Sequence, residues 1–143
     1  MYSALRRHER SKELVKRLET DYEVLERIHL ENFEEHGLFL EGTGSMVFDH
    51  DHRIVYACKS QRTMEPVLEK LAGLIGYESV VFEASDKNGF PIYHTNVMMA
   101  LGVDFVVNCL DSVDPVSRPG LVEKFAKTGK EVVEISFEQM NSF

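Results

Sequence analysis

The chain has 143 residues, which suffice for one compact domain with a single hydrophobic core. Its hydrophobic content of 43% and aromatic content of 10% exclude a disordered chain, and its formal net charge of −8 excludes broad nucleic-acid binding. The sequence lacks a signal-peptide core and any apolar run of roughly 20 residues, so it predicts a cytoplasmic protein that does not bind membranes.

The N-terminal region, residues 1–37, predicts a helix followed by a strand. Residues 3–19 carry apolar side chains at helical spacing, and residues 22–28 have the pattern of a strand. The basic residues of this helix, which include Arg6, Arg7 and Arg10, alternate with glutamates. Such mixing indicates a solvated helix face rather than a phosphate-binding arm. We interpret this region as the αβ tail of a preceding structural unit.

Residues 38–85 predict a unit of two strands, a helix and a third strand. The two strands, 44–50 and 53–58, flank a polar turn. A helix then follows Thr63, which is a candidate cap, and ends at Gly76. The third strand covers residues 79–82.

The same order recurs in residues 86–143. Strands are predicted at 96–100 and 105–110, followed by a helix and a last strand at 131–135. Gly129, which ends the second helix, lies 53 residues after Gly76. Residues 138–143 begin a further unit. The predicted fold is therefore α/β, with the tail of one ββαβ unit and two complete ββαβ units.

Glu41 and His94 are the strongest candidates for a functional site. Each stands just before the first strand of its unit. Taken alone, Glu41 fits a solvated turn glutamate and His94 fits a hydrogen-bonded packing histidine. Equivalent loops of repeated units gather at one end of their sheets, so we expect the two side chains to meet. A carboxylate beside a histidine orients the ring and raises its basicity.

The other reactive side chains have simpler interpretations. The segment His50-Asp51-His52 is typical of a polar turn, because no third metal ligand accompanies it. Cys58 and Cys109 lie in apolar strands and fit unreactive core thiols, although Lys59 beside Cys58 leaves activation of that thiol open. The sequence contains no phosphate-binding loop, dinucleotide fingerprint or zinc-ribbon spacing. We therefore expect no metal and no cofactor.

Three segments carry a family resemblance, at residues 40–49 (LEGTGSMVFD), 56–60 (YACKS) and 91–99 (PIYHTNVMM). They closely resemble the amidinotransferase-like citrulline hydrolases. These belong to the guanidino-group-modifying superfamily, together with arginine deiminases and glycine amidinotransferases. The resemblance covers nearly the whole chain and implies a partial α/β propeller, because the family fold is five ββαβ units around a central active site.

The resemblance also implies a reaction and its residues. The family hydrolyses a C–N bond of a guanidino or ureido group through a covalent cysteine intermediate. The resemblance also implies that the substrate of the intact enzyme is a small amino acid that carries such a group. His94 resembles the general acid/base, Glu41 its acidic partner, and Asn96 a substrate-binding residue. Arginine deiminases carry aspartate where this chain has Asn96. An amide suits a neutral ureido group, which favours citrulline over arginine.

The resemblance places two functional segments outside the chain, namely the nucleophilic cysteine and a first acidic substrate-binding motif. We therefore expect a truncated enzyme fragment that is inactive alone. The alternatives are a non-catalytic interaction module, half of a split enzyme that a partner chain completes, and a hydrolase that uses Cys58. Uncovered sheet edges also predict self-association.

Overall fold

The computed structural model describes residues 1–142 and has a mixed α/β fold with two small sheets. The helices are α1 Lys12–Asp21, α2 Gly42–Ser45, α3 Glu65–Ile75, α4 Arg118–Lys127 and α5 Phe137–Met140. The strands are β1 Val47–Asp49, β2 Ile54–Cys58, β3 Glu78–Phe82, β4 Met99–Leu101, β5 Phe105–Asn108 and β6 Glu131–Glu134. Short 3₁₀ segments cover Leu5–Glu9, Glu31–His36, Thr95–Val97 and Leu110–Ser112.

The two sheets have the same topology. Their strand orders are β1-β2-β3 and β4-β5-β6. In each sheet the first pair is antiparallel and the second is parallel, and a helix connects the parallel strands. Gly76 ends α3 in the left-handed conformation at φ +72°, which a residue with a Cβ adopts at a cost. The predicted ββαβ order is confirmed in both units.

Strand β2 joins the two units because both of its faces are buried. Val55 and Ala57 pack with Leu68 and Ala72 of α3. The opposite face packs into the larger core, where the ring centroid of Tyr56 lies 5.3 Å from that of Phe125 in α4. The second unit's helix therefore covers the first unit's central strand.

The N-terminal region differs from its prediction. The expected helix at 3–19 is a 3₁₀ segment and a separate α1, because the Ser11 side chain accepts a hydrogen bond from the Leu14 N–H and starts a new helix. The strand expected at 22–28 is absent. No other strand within residues 1–142 pairs with this segment, and a strand pattern forms a strand only when a neighbour satisfies its backbone groups.

Several boundaries also differ. The expected strands at 44–50 and 96–100 are shorter, since a helical turn occupies 42–45 and a 3₁₀ turn occupies 95–97. The first strand pairs with β2 only over Val47–Asp49. The residues before Val47 have no partner strand, and they form a helical turn instead. The strand expected at 105–110 ends at Asn108, and Met64 rather than Thr63 is the N-cap of α3. Phe143, the last residue of the predicted further unit, lies outside the described residues.

Within residues 1–142, none of the helices combines the length and the apolar character that a membrane crossing requires.

A buried ion pair forms a second link between the two units. The Lys130 Nζ lies 3.2 Å from the Asp49 Oδ2, and both side chains are 1% exposed. The same ammonium donates a hydrogen bond of 2.6 Å to the Val103 carbonyl. Asp49 also accepts a hydrogen bond from the His52 backbone N–H. The end of β1 is thereby tied to the segments that directly precede β5 and β6.

We predict that Lys130→Met lowers the free energy of unfolding by about 3–5 kcal/mol, because it leaves Asp49 buried without its cationic partner. Urea titration monitored by circular dichroism measures the change. The control is Lys127→Met, which breaks the exposed pair with Glu123, where the side chains are 66% and 65% exposed. This control should change stability little. Equal losses in the two variants would contradict the prediction.

Candidate functional site

Glu41 is a buried carboxylate at the junction of a loop and the turn α2. Its side chain is 1% exposed. Its backbone N–H donates a 2.9 Å hydrogen bond to the Arg62 carbonyl, and Leu40 before it forms a bridge with Thr63. The chain at Glu41 is therefore fixed to the loop that connects β2 and α3.

His94 approaches Glu41 from the second unit. It is buried and precedes the 3₁₀ turn Thr95–Val97. Its Nε2 lies 3.2 Å from the Glu41 Oε2, across 53 residues of sequence. The expectation that these two side chains meet is confirmed, whereas their catalytic roles stay predictions.

The position of the His94 ring depends on a glycine. A Cβ on Gly44 would lie 2.6 Å from the His94 Nδ1, closer than real Cβ contacts. The Nδ1 side of the ring thus packs against the backbone of Gly44, while Nε2 faces Glu41. The ring also lies near that of Tyr93, with a centroid distance of 5.0 Å. Gly44 therefore leaves the space that the imidazole occupies.

Two arginines that sequence reasoning did not assign to the site also reach Glu41. The Arg6 Nη1 lies 2.9 Å from the Glu41 Oε2, the same oxygen that contacts His94, and the Tyr2 backbone N–H donates to Oε1 at 2.8 Å. The Arg62 Nη1 lies 3.8 Å from Oε2, and its guanidinium stacks 5.0 Å from the centroid of Tyr93. The assignment of Arg6 to a solvated helix face is wrong, because the 3₁₀ segment turns its guanidinium towards Glu41.

These surroundings determine the charges of the pair. Burial opposes ionisation of Glu41, but the hydrogen bond to His94, the backbone N–H of Tyr2 and the charge of Arg6 hold its pKa below the ordinary value. Burial lowers the pKa of His94, and the nearby charges of Arg62 and Arg6 add to this effect while Glu41 opposes it. At neutral pH the pair is thus an ionised carboxylate beside a neutral imidazole, which is able to accept a proton.

Asn96, the third predicted site residue, is exposed on the 3₁₀ turn that follows His94. It does not join the hydrogen-bonded group of Glu41, His94 and Arg6. Its predicted contact is with a substrate, so its role stays a prediction.

Both cysteines are fully buried. Burial raises the pKa of the Cys58 thiol and of the Cys109 thiol, so each is protonated at neutral pH. Cys58 ends β2, where its backbone N–H donates a hydrogen bond to the Thr95 hydroxyl. This geometry favours the interpretation of both as core thiols over activation of Cys58.

His50 and His52 each lie within hydrogen-bond distance of a neighbouring side chain. The His50 Nδ1 lies 2.8 Å from the Tyr77 hydroxyl, and the His52 Nδ1 lies 3.0 Å from the Asp49 carboxylate. Among residues 1–142, no three histidine, cysteine or acidic side chains are grouped so that they could bind a metal ion.

An open cavity of about 970 Å³ lies beside the pair. Arg62 and Tyr93, which contact Glu41 and His94 respectively, line it, and so does Lys59. The loop around Arg62 is held in place because the Ser60 hydroxyl donates a 2.8 Å hydrogen bond to the Tyr93 carbonyl. Glu65, Glu83 and Asp114 also line the cavity, and the Lys59 ammonium lies 2.9 Å from the Glu65 carboxylate, so the cavity carries charges of both signs.

We predict that Glu41→Gln lowers the pKa of His94 further, because the substitution removes the negative charge that stabilises the imidazolium. Arg6→Gln should raise that pKa, because it removes a nearby positive charge. Titration of the ring protons by NMR measures both shifts, with the exposed substitution Glu123→Gln as the control. A His94 titration that is the same in all three variants would contradict the contact.

The chain has a fold similar to that of proteins of known structure. The N-terminal domain of ArgZ, described as an arginine dihydrolase from the ornithine-ammonia cycle in cyanobacteria, has a similar fold. Two structures of this domain, one covalently bonded to a reaction intermediate and one bound to substrate, each match this chain with a TM-score of 0.54 and 20% sequence identity. The match covers 73% of this chain and 41% of that domain, or 18% of the longer chain in apo ArgZ. The chain thus spans less than half the length of the structures it matches.

Sequence comparison assigns the family. No curated protein shows significant similarity to the chain. The family described as N,N dimethylarginine dimethylhydrolase, eukaryotic, matches residues 1–143, which is the entire chain. The predicted resemblance to the guanidino-group-modifying enzymes is confirmed. The chain belongs to the N,N-dimethylarginine dimethylhydrolase family.

Proposed function

We propose that the chain is part of a hydrolase that cleaves a C–N bond at the guanidino or ureido carbon of an arginine derivative. In this proposal Glu41 and His94 are its proton-transfer pair. The observation that carries the proposal is the buried contact of 3.2 Å between the two side chains, each from a different unit. Membership of the dimethylarginine dimethylhydrolase family supports this reaction class.

The proposed reaction has two steps. His94 first accepts the proton of the cysteine thiol, and the resulting thiolate attacks the guanidino or ureido carbon and forms a C–S bond. The C–N bond to the leaving amine breaks as the His94 imidazolium passes that proton to the amine. Water then attacks the same carbon while His94 accepts its proton. The C–S bond breaks, and the ureido or acid product leaves. The proton taken from water returns to the departing thiolate. Glu41 orients the ring and stabilises the imidazolium that forms each time His94 has accepted a proton.

We propose that the attacking cysteine lies outside these 143 residues. Cys58 and Cys109 are buried and their pKa values are raised, whereas a nucleophilic thiol needs access and a lowered pKa. One solved ArgZ structure is described as covalently bonded to a reaction intermediate, which agrees with covalent chemistry in a protein of similar fold. The chain would then be inactive alone.

The substrate is proposed to be a small amino acid with a guanidino or ureido side chain. Dimethylarginine is named for the family and arginine for ArgZ, while the amide of Asn96 favours the neutral ureido group of citrulline. Arg62 at the cavity would attract the substrate carboxylate.

We also propose that the units 1–37, 38–85 and 86–143 are parts of an α/β propeller. Glu41 and His94 occupy equivalent places in successive units, and a propeller would gather such places around one centre. The shared ββαβ topology of the two sheets supports this arrangement.

NMR of the ¹⁵N-labelled chain tests the site. L-arginine, N,N-dimethylarginine and L-citrulline should each be added at millimolar concentration, with L-lysine as a control without a guanidino or ureido group. We expect at least one of the three to shift the His94 ring signals, and Glu41→Gln to weaken that shift while Glu123→Gln leaves it. No shift with any of the three, or an equal shift with lysine, would contradict the proposal.

The same samples test the source of the nucleophile. We expect no release of ammonia or dimethylamine by the chain before or after thiol alkylation. Turnover that alkylation abolishes would identify Cys58 or Cys109 as the nucleophile and overturn this part of the proposal.

A further inference from the structure

The residue after His94 links three segments through one hydroxyl group. Thr95 is fully buried. Its Oγ1 accepts a hydrogen bond of 2.9 Å from the Cys58 backbone N–H and donates one of 2.6 Å to the Ser45 carbonyl. The Cys58 Sγ lies farther away at 3.6 Å, so the single hydroxyl proton goes to the carbonyl.

Both backbone partners belong to the first unit, whereas Thr95 belongs to the second. Ser45 is the last residue of the turn α2, which starts directly after Glu41. Because α2 ends at Ser45, no later helical N–H donates to the Ser45 carbonyl. The Thr95 hydroxyl donates to it instead and satisfies a group that would otherwise be buried without a partner. The Thr95 hydroxyl thus holds the turn of Glu41 to the loop of His94.

The same turn also sets the position of the imidazole. Gly44, which packs against the His94 Nδ1, immediately precedes the residue that Thr95 binds. A displacement of this turn moves the carboxylate, and it also moves the backbone against which the ring rests. A hydroxyl is the smallest side-chain group that accepts from an N–H and donates to a C=O through one atom.

We propose that Thr95 is a positioning residue that holds His94 within hydrogen-bond distance of Glu41. Its importance for catalysis rests on the proposed function, since the pair must first be shown to transfer protons. Thr95 acts through backbone groups and touches neither partner's reacting atoms. Valine keeps the shape of threonine but removes both hydrogen bonds, while serine keeps the hydroxyl.

The test measures how strongly Glu41 and His94 are coupled. The His94 titration is followed by NMR with and without Glu41→Gln, in the wild-type chain and in three backgrounds: Thr95→Val, Thr95→Ser and Thr63→Val. Thr63 is a matched control, because its hydroxyl is also buried but has no hydrogen-bond partner within residues 1–142. Urea unfolding of each background separates coupling from stability.

We expect Glu41→Gln to shift the His94 titration in the wild type, in Thr95→Ser and in Thr63→Val, and most of that shift to be lost in Thr95→Val. A full shift in folded Thr95→Val would overturn the proposal. If Thr95→Val does not fold, Thr95→Ser decides: a retained shift supports the hydroxyl, and a lost shift assigns the effect to the methyl group instead. Because no turnover or ligand is measured, failure here is distinct from failure of the proposed function.

Discussion

The buried contact between Glu41 and His94 is the interaction on which the site depends. An ionised carboxylate in a buried position is costly unless charges or donors surround it. Here His94, Arg6 and the Tyr2 N–H contact its two oxygens, and Arg62 lies nearby. The carboxylate stays ionised and the imidazole stays neutral, which is the state from which a histidine accepts a proton.

The contact exists because the two units are locked together by packing. Phe125 of α4 lies against Tyr56 in β2, and the buried pair of Lys130 and Asp49 also joins the two units. Close-packed interiors move little, so side chains from separate units are held at hydrogen-bond distance. The contact between Glu41 and His94 therefore depends on the packing and the polar links that join the two units.

The sequence predicts the repeat and the pair well, for physical reasons. Alternating strands, helix periodicity and a helix-ending glycine such as Gly76 are local signals, and equivalence between repeats then brings Glu41 to His94. The missed features are non-local. Arg6 reaches Glu41 only because the first helix breaks at Ser11, and the strand expected at 22–28 finds no partner strand within residues 1–142. No local sequence pattern predicts the burial of Lys130 either.

The tautomer of His94 tests the contact most directly. Two-bond ¹H–¹⁵N correlation spectra of the histidine-labelled chain at neutral pH report which ring nitrogen carries the proton. With Nε2 facing the ionised Glu41 and Nδ1 packed on Gly44, we predict the Nε2–H tautomer, held as a hydrogen-bond donor to the carboxylate. An Nδ1–H tautomer, or the averaged signals of a freely solvated ring, would contradict the pairing of His94 with Glu41.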